Sequence, residues 1–296
     1  MKIYLCTMYY NEDFMADCLI KDASQWADKI IISESSCTFK MKFKGYNLPN
    51  IISGNSADVS HVKIDGAASF VKNKIKLLRH PPFIGIGSSP WENEKIQRNA
   101  SMVQKDIVND DDVIIFSDID EIFFPSMVES FIELIKKYGI VTPRFDHFLH
   151  FINNRVVSFP GQPDYSYRVF GIRGDFYKKM NIGYDALRKL GESGKLSGLV
   201  KCTDDIYGVH YSWLSSTNIE KTVDKLNSYS HNPKDHSNGV FNFFANPRSD
   251  YINDRMHKIG HLFDENGIKT IIDNSYNHVP SVAEHIDSLP LRVIKK

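Results

Sequence analysis

At 296 residues the chain is long enough for one large domain or two small ones, and its 42% apolar and 24% charged content is that of an ordinary globular protein. Thirty-six basic residues balance thirty-six acidic ones, which excludes a general electrostatic attraction to nucleic acid or an anionic membrane. Cys6, Cys18, Cys37 and Cys202 fall at irregular spacings that fit neither a disulfide framework nor a zinc site, and no apolar run approaches the roughly 18 residues of a membrane span.

MKIYLCTM opens the chain with a predicted strand over 2–8, cut off by Asn11, Glu12 and Asp13; this is not the pattern of a signal peptide. A soluble, cytoplasmic protein is therefore expected. A helix follows around 13–26, then short apolar runs at KIIIS (29–33) and HVKI (61–64). In SSPWENEKIQRNASMVQKDI, Ser89 and Pro90 suit a helix start, and Ile96, Ala100, Val103 and Ile107 recur at helical spacing as an apolar stripe. VIIF (113–116) is the next strand. Short continuous apolar strands separated by helices predict an α/β fold, with a mostly parallel central sheet covered on both faces.

From about residue 140 the sequence is aromatic and punctuated by Gly and Pro, which predicts loops and antiparallel strands. IYGVHYSW (206–213) is one more strand, with Tyr207, Val209, Tyr211 and Trp213 on one face and Gly208, His210 and Ser212 on the other. Thr217 and Glu220 form a capping box for a helix carrying Ile219, Val223, Leu226 and Ser230. A further helix carries Ile252, Met256, Ile259 and Phe263. No linker separates independent domains, so a single domain with a helical C-terminal extension is expected.

The chemistry gathers at DDVIIFSDIDEIFF (111–124). Ligands of parallel sheets collect at the carboxyl ends of the strands, and VIIF ends where Asp118 and Asp120 begin. If the chain stays extended, these two project to one face and can reach Mg²⁺ or Mn²⁺, hard cations that complete their shells with substrate phosphates. Glu121 would then point away. Asp110, Asp111 and Asp112 precede the strand, roughly 20 Å off at the opposite edge, and read as a solvated turn. Three readings of the cluster stand side by side: a metal site, a surface loop, or the nucleophile of an aspartyl phosphotransferase. The mid-chain position and the following Glu121-Ile122 weigh against the last.

WENEKIQRNA (91–100), DDDVIIFSDIDEI (110–122), GVHYSW (208–213) and KLNSYSH (225–231) together resemble glycosyltransferase family 17. ESSCTFKMKFKG (34–45), HVKID (61–65) and IGHLFDENG (259–267) add to the resemblance, and all matches are collinear. The resemblance implies a GT-A-type, Rossmann-like fold. It also implies an inverting transfer of a sugar, GlcNAc foremost, from a UDP-sugar to a glycan or glycolipid acceptor. Mn²⁺ or Mg²⁺ would be the cofactor, bridging Asp120 and the donor diphosphate with Asp118 alongside. On this reading residues 1–122 form the nucleotide-sugar and metal half, 123–213 the acceptor half and 214–296 the helical extension. The Pro that usually follows Asp-Glu-Ile in the family is displaced by Phe123 and Phe124. The membrane anchor of animal members has no counterpart before the first strand, which suits a bacterial or viral-type enzyme.

Other residues take roles within the same resemblance. Tyr9, Tyr10, Asn11 and Glu34 follow the first two strands and become uracil or ribose contacts, or else surface-loop residues. Glu94, Arg98 and Asn99 become donor contacts, a solvated Arg98 being the alternative. His210 completes the metal shell or meets the diphosphate; otherwise it is a satisfied strand histidine. Lys225 and His231 are further donor contacts, against a solvated lysine and a histidine favouring a helix C-terminus. The catalytic base falls among Asp146, Asp164, Asp175, Asp185, Glu192, Asp204 and Asp205, with Asp185 and Glu192, near Gly183, Gly191 and Gly194, preferred. Trp91, Phe148, Tyr165 and Trp213 either stack on sugars or pack in the core. The alternatives to sugar transfer are a metal-dependent phosphotransferase or phosphohydrolase, and a non-catalytic carbohydrate-binding relative.

Overall fold

The computed structural model describes residues 1–54, 56–65, 90–149, 151–158, 167–192, 200–212 and 269–289, together with Gly198, Leu214 and Leu291. In chain order these form β1 (Ile3–Met8), α1 (Asp13–Ala23), β2 (Lys29–Ser35), α2 (Leu48–Ile52), β3 (Val59–Ile64), α3 (Pro90–Ala100), β4 (Val113–Phe116), β5 (Glu121–Phe123), α4 (Pro125–Tyr138) and β6 (Ile140–Leu149). They continue with β7 (Asn154–Ser158), β8 (Phe170–Arg173), α5 (Gly174–Lys179), α6 (Tyr184–Glu192), β9 (Lys201–Ser212), β10 (Lys269–Ile272) and α7 (Pro280–Ala283).

The strands lie in the order β10-β7-β6-β8-β4-β1-β2-β3, and β9 pairs with β6 and β5 beside this path. β3, β2, β1 and β4 run parallel, β8 enters antiparallel against β4, and the β6–β9 pairing is parallel again. The fold is α/β, a central sheet flanked by helices, as the sequence predicts. Strand parity explains the two cores. Leu5, Ile30, Ile32, Val113 and Ile115 face α1 and α4, whereas Tyr4, Cys6, Ile31, Ile114 and Phe116 face Tyr177 of α5 and Tyr184 of α6. All four residues of VIIF are 0% exposed, so the run is continuous and not alternating. Burial pushes the Cys6 and Cys18 thiols up to about 12, which makes them packing groups and not nucleophiles.

The structure corrects the expected stripe of α3. The helix ends at Ala100, and Ile107 lies 55% exposed in a 3₁₀ turn beyond it. Its buried face is polar: Asn93, Glu94, Gln97 and Arg98. This helix crosses the carboxyl edge of the parallel strands, where backbone groups need partners. Gln97 Nε2 donates to the Tyr9 carbonyl at 2.7 Å, Ser33 Oγ donates to the Gln97 carbonyl at 2.6 Å, and Asn93 Nδ2 donates to the Phe39 carbonyl at 2.6 Å.

The solvated turn before β4 is also corrected in part. Asp110 and Asp111 are exposed, but Asp112 is fully buried, its Oδ1 accepting from the Lys2 amide at 2.6 Å and its Oδ2 from the Asn109 amide at 2.8 Å. The helices expected over 217–230 and 252–263 lie outside the described residues. Among the described residues no helix is long and apolar enough to cross a membrane.

His278 gives the fold a pH dependence. It is buried against Phe148, Tyr211 and Tyr276, with the Tyr211 hydroxyl 3.2 Å from its Nδ1. Burial pushes the imidazole down to about 4, against the opposing charge of Asp273. The unfolded chain therefore takes up the proton first. The stability His278 confers is complete above the ordinary histidine range and is lost as pH falls toward 4. Urea midpoints should report a loss of about 2 kcal/mol from this group between pH 7 and pH 4.5, absent in His278→Phe.

Candidate functional site

β4 and β1 end side by side, Phe116 opposite Cys6. Beyond Phe116 the chain does not stay extended. It turns over Ser117–Asp120, the Glu121 amide donating to the Asp118 carbonyl at 3.0 Å, and re-enters the sheet as β5. The expectation that Asp118 and Asp120 share one strand face is thus corrected, and the two carboxylates have different surroundings.

Asp118 is clamped by guanidinium groups. Arg98 Nε and Nη2 donate to its two oxygens at 3.2 Å, and Arg188 Nη2 lies 3.0 Å from Oδ2. Burial alone would raise this carboxyl, but Arg188 and Arg98 overrule it and hold Asp118 well below the usual carboxylate range. Arg98 also binds Glu94 and Asp185, each at 2.7 Å. Arg188 Nη1 binds Glu121 at 2.9 Å, and Glu121 Oε2 accepts from the Asp118 amide at 2.7 Å. Glu121 is 1% exposed, so the acid that strand parity sent outward is the inner support of the turn.

β9 behaves as its alternation predicts. Tyr207, Val209 and Tyr211 enter the core, and His210 sits opposite Glu121 in the β5–β9 register. His210 Nε2 lies 2.9 Å from Ser212 Oγ and 3.5 Å from Asp120 Oδ1. Its ring stacks on His147 with centroids 4.4 Å apart. Burial, then His210 and Arg168, holds His147 well below the ordinary histidine range, so that ring is neutral at pH 7.

Asp118, Asp120, Arg188 and His210 border a cleft with about 70 Å³ of free volume at the carboxyl end of β1 and β4. Met8, Tyr10, Phe39 and Ile119 give it an apolar side, with Tyr10 stacked on Phe39 at 5.0 Å. Glu12, Glu94, Asp118, Asp120, Arg168, Arg188, His210 and Ser212 give it a polar one. Four carboxylates against two guanidiniums leave this lining at a formal charge of 2 − 4 = −2, histidine not counted.

Of the residues singled out in the sequence, Glu94, Asp118, Asp120 and His210 line the cleft, with Arg98 directly behind Asp118. Tyr10 lines it too, but its neighbour Tyr9 is 0% exposed and donates its hydroxyl to Asp13. Glu34 is a buried latch, not a rim residue: it holds Lys44 at 2.7 Å, His61 at 3.0 Å and the Asn47 amide at 2.8 Å. Asn11, at φ 51°, accepts from the Asn47 amide side chain at 2.9 Å. Asn99 Oδ1 accepts from the Asp185 amide at 3.1 Å, and a Cβ on Gly183 would come within 2.6 Å of it, so a larger residue there would displace the Asn99 side chain where α3 meets the start of α6. Asp185 sits between Arg98 and Lys189, and Glu192 between Arg168 and Arg188; neither lines the cleft.

The other base candidates lie elsewhere: Asp146 pairs with Arg155, Asp175 with Arg173, and Asp204 and Asp205 are exposed. Phe148 is core and Trp91 is 39% exposed. Lys225, His231, Asp164, Tyr165 and Trp213 lie outside the described residues. Arg168, Arg188 and Phe39 escape sequence reasoning. Arg188 alone leaves a signal: on α6 it shares the buried face of Tyr184, Leu187 and Gly191, where an arginine needs a partner.

Among the described residues no three His, Cys, Asp or Glu side chains converge as a ready metal cage. Asp120 with His210 beside it is a donor pair that fits a hard or borderline divalent cation able to keep phosphate or water ligands.

No protein-family model matches the chain, and no curated protein matches it. Among solved structures it is similar to residues 1–349 of TarS from S. aureus, at 8% identity and TM-score 0.40, covering 86% of this chain and 72% of that one. Against a longer TarS chain the identity is 10% and the TM-score 0.41; the match covers 89% of this chain but 49% of TarS, about half its length. It is also similar to the inositol-1-phosphate CTP transferase from T. maritima, at 12% identity and TM-score 0.36, covering 68% of this chain and 84% of that one. A third likeness is to glucosyl-3-phosphoglycerate synthase from Mycobacterium tuberculosis, solved with Mg²⁺ and UDP, at 12% identity and TM-score 0.35 over 90% of this chain and 80% of that one. Likenesses this distant assign no activity to the chain.

Proposed function

We propose that the protein is a metal-dependent, inverting glycosyltransferase of the GT-A type, moving a sugar from a UDP-sugar to a hydroxyl of a glycan or glycolipid. The family resemblance favours GlcNAc as the sugar. The observation that carries the reading is a cleft at the carboxyl edge of parallel strands whose lining is net negative. Such a lining repels a bare nucleoside diphosphate and favours one that arrives with a divalent cation. Asp120 is the carboxylate we assign to that cation, with His210 next to it. When bound, Mn²⁺ or Mg²⁺ would neutralise charge on the departing diphosphate.

The remaining roles belong to the chain itself. Asp118, with both oxygens held by arginines, fixes the turn that presents Asp120; the same clamp makes it a poor phosphoryl-accepting nucleophile. Tyr10, 6% exposed and backed by Phe39, is the apolar wall we assign to the uracil. Arg98 and Asn99 serve the donor site indirectly, by bracing Asp118 and the start of α6. Asp185 is ill suited as the base, since it is tied up by Arg98 and Lys189 and does not line the cleft.

Incubation with a panel of UDP- and GDP-sugars and Mn²⁺, assaying released nucleotide and transferred sugar, tests the reading. Turnover from one UDP-sugar, abolished by chelation, is expected. If no nucleotide sugar is turned over with metal present, the reading fails; hydrolysis of phosphate esters instead would establish a phosphohydrolase.

A further inference from the structure

Two guanidiniums line the cleft, and their circumstances differ. Arg188 is built into the scaffold, with Nη1 on Glu121 at 2.9 Å and Nη2 on Asp118 at 3.0 Å, its side chain 7% exposed. Arg168 is not. Among the described residues its one ion pair is Glu192, Nε to Oε1 at 3.3 Å, and its buried Nε has no hydrogen-bond partner of good geometry.

Backbone packing creates this pairing. A Cβ on Gly191 would lie 1.7 Å from the Tyr167 carbonyl oxygen, so only glycine lets the last turn of α6 close on that strand entry. The residues that follow each of them, Glu192 and Arg168, are thereby brought together. The same Glu192 oxygen lies 3.3 Å from Arg188 Nε, so one carboxylate offsets two neighbouring positive charges. Its side chain is 36% exposed, and its contacts are longer than those that hold Asp118 and Glu121. It is the weakest anion on either arginine and the easiest to exchange.

We propose that Arg168 is the anion-binding side chain of the cleft: it takes a phosphate group of the ligand, and Glu192 is the internal counter-ion which that phosphate replaces. A guanidinium offers parallel N–H donors that match phosphate oxygens, which a lone ammonium does not. The inference rests on the donor reading above and adds a second anchor for the diphosphate, on the opposite charge logic to Asp120. The net negative lining then excludes anions lacking a metal, while Arg168 retains those that bring one.

The test measures UDP and uridine affinity in Mn²⁺ for the wild type, Arg168→Gln and Glu192→Gln, with thermal midpoints as a folding control. Arg168→Gln should weaken UDP at least about tenfold and leave uridine within about twofold. Glu192→Gln should tighten UDP several-fold by removing the competitor. Unchanged UDP affinity in Arg168→Gln overturns the proposal, as does an equal loss for UDP and uridine, or weaker UDP binding in Glu192→Gln. A wild type that binds no UDP with Mn²⁺ removes the donor reading itself, whereas a wild type that binds it and an indifferent Arg168→Gln removes only this inference. Should Arg168→Gln not fold, Arg168→Lys and Glu192→Gln are expected to move UDP affinity in opposite directions, and a shift in the same direction overturns the proposal.

Discussion

Asp120→Asn is expected to keep the fold and to lose metal-dependent turnover by about 10²–10³-fold. The substitution preserves shape and removes one negative charge from a turn whose geometry is set by other residues: Asp118, Glu121 and the two arginines. Thermal midpoints should therefore move little. The lining falls from −2 to −1, so metal-free UDP should bind no worse than to the wild type, and only the gain from Mn²⁺ should disappear. Steady-state rates across a Mn²⁺ titration check the first part, and UDP affinity in chelator checks the second. A variant that regains full rate at high Mn²⁺ would show that Asp120 tunes metal affinity without being needed for the chemistry.

Arg188→Met should have the largest effect on stability, a loss of about 3–5 kcal/mol. Methionine fills most of the volume, but Asp118 loses one of its two arginines, and Glu121, at 1% exposure, loses the guanidinium that neutralises it. The Asp118 carboxyl is depressed in the fold, so its contribution is present above the ordinary carboxylate range and is lost only as pH falls toward its much lower folded value. In the variant Asp118 keeps only Arg98 and takes up its proton at a higher pH than in the wild type, so the deficit against wild type should be smaller at pH 3 than at pH 7. Urea denaturation at both pH values measures it. Arg188→Met with Glu121→Gln should recover part of the loss, because the second change removes a charge that no longer has its partner.

How far the sequence could be read follows from where each residue sits. VIIF and KIIIS are legible as parallel strands because both sheet faces are covered, which leaves the apolar run uninterrupted. β9 is legible because one face meets the core and the other the cleft, so alternation survives. α3 misleads for a physical reason: periodicity assumes that apolar residues mark the buried side, yet this helix lies over strand ends and buries Asn93, Gln97 and Arg98 to satisfy backbone and carboxylate groups.

The turn after β4 was equally hidden. Ser117-Asp118-Ile119-Asp120 contains neither Gly nor Pro, and what bends it is a side chain, Glu121, reaching back to the Asp118 amide. Glu34 shows the limit of position as a guide. An acid at a strand's carboxyl end suits a ligand site, but Lys44 and two loop amides bond to this one, and His61 lies 3.0 Å from it. The acidic motif was in plain view. The arginines that divide its labour come from α3 and α6, roughly 20 and 70 positions away, and no spacing rule reaches that far.

Titration of UDP into the protein with and without Mn²⁺, for the wild type and Asp120→Asn, tests the central claim most directly. The account predicts that Mn²⁺ tightens wild-type binding at least about tenfold and that Asp120→Asn abolishes that difference. Equal UDP affinity with and without metal in the wild type, or an undiminished metal effect in Asp120→Asn, would contradict it.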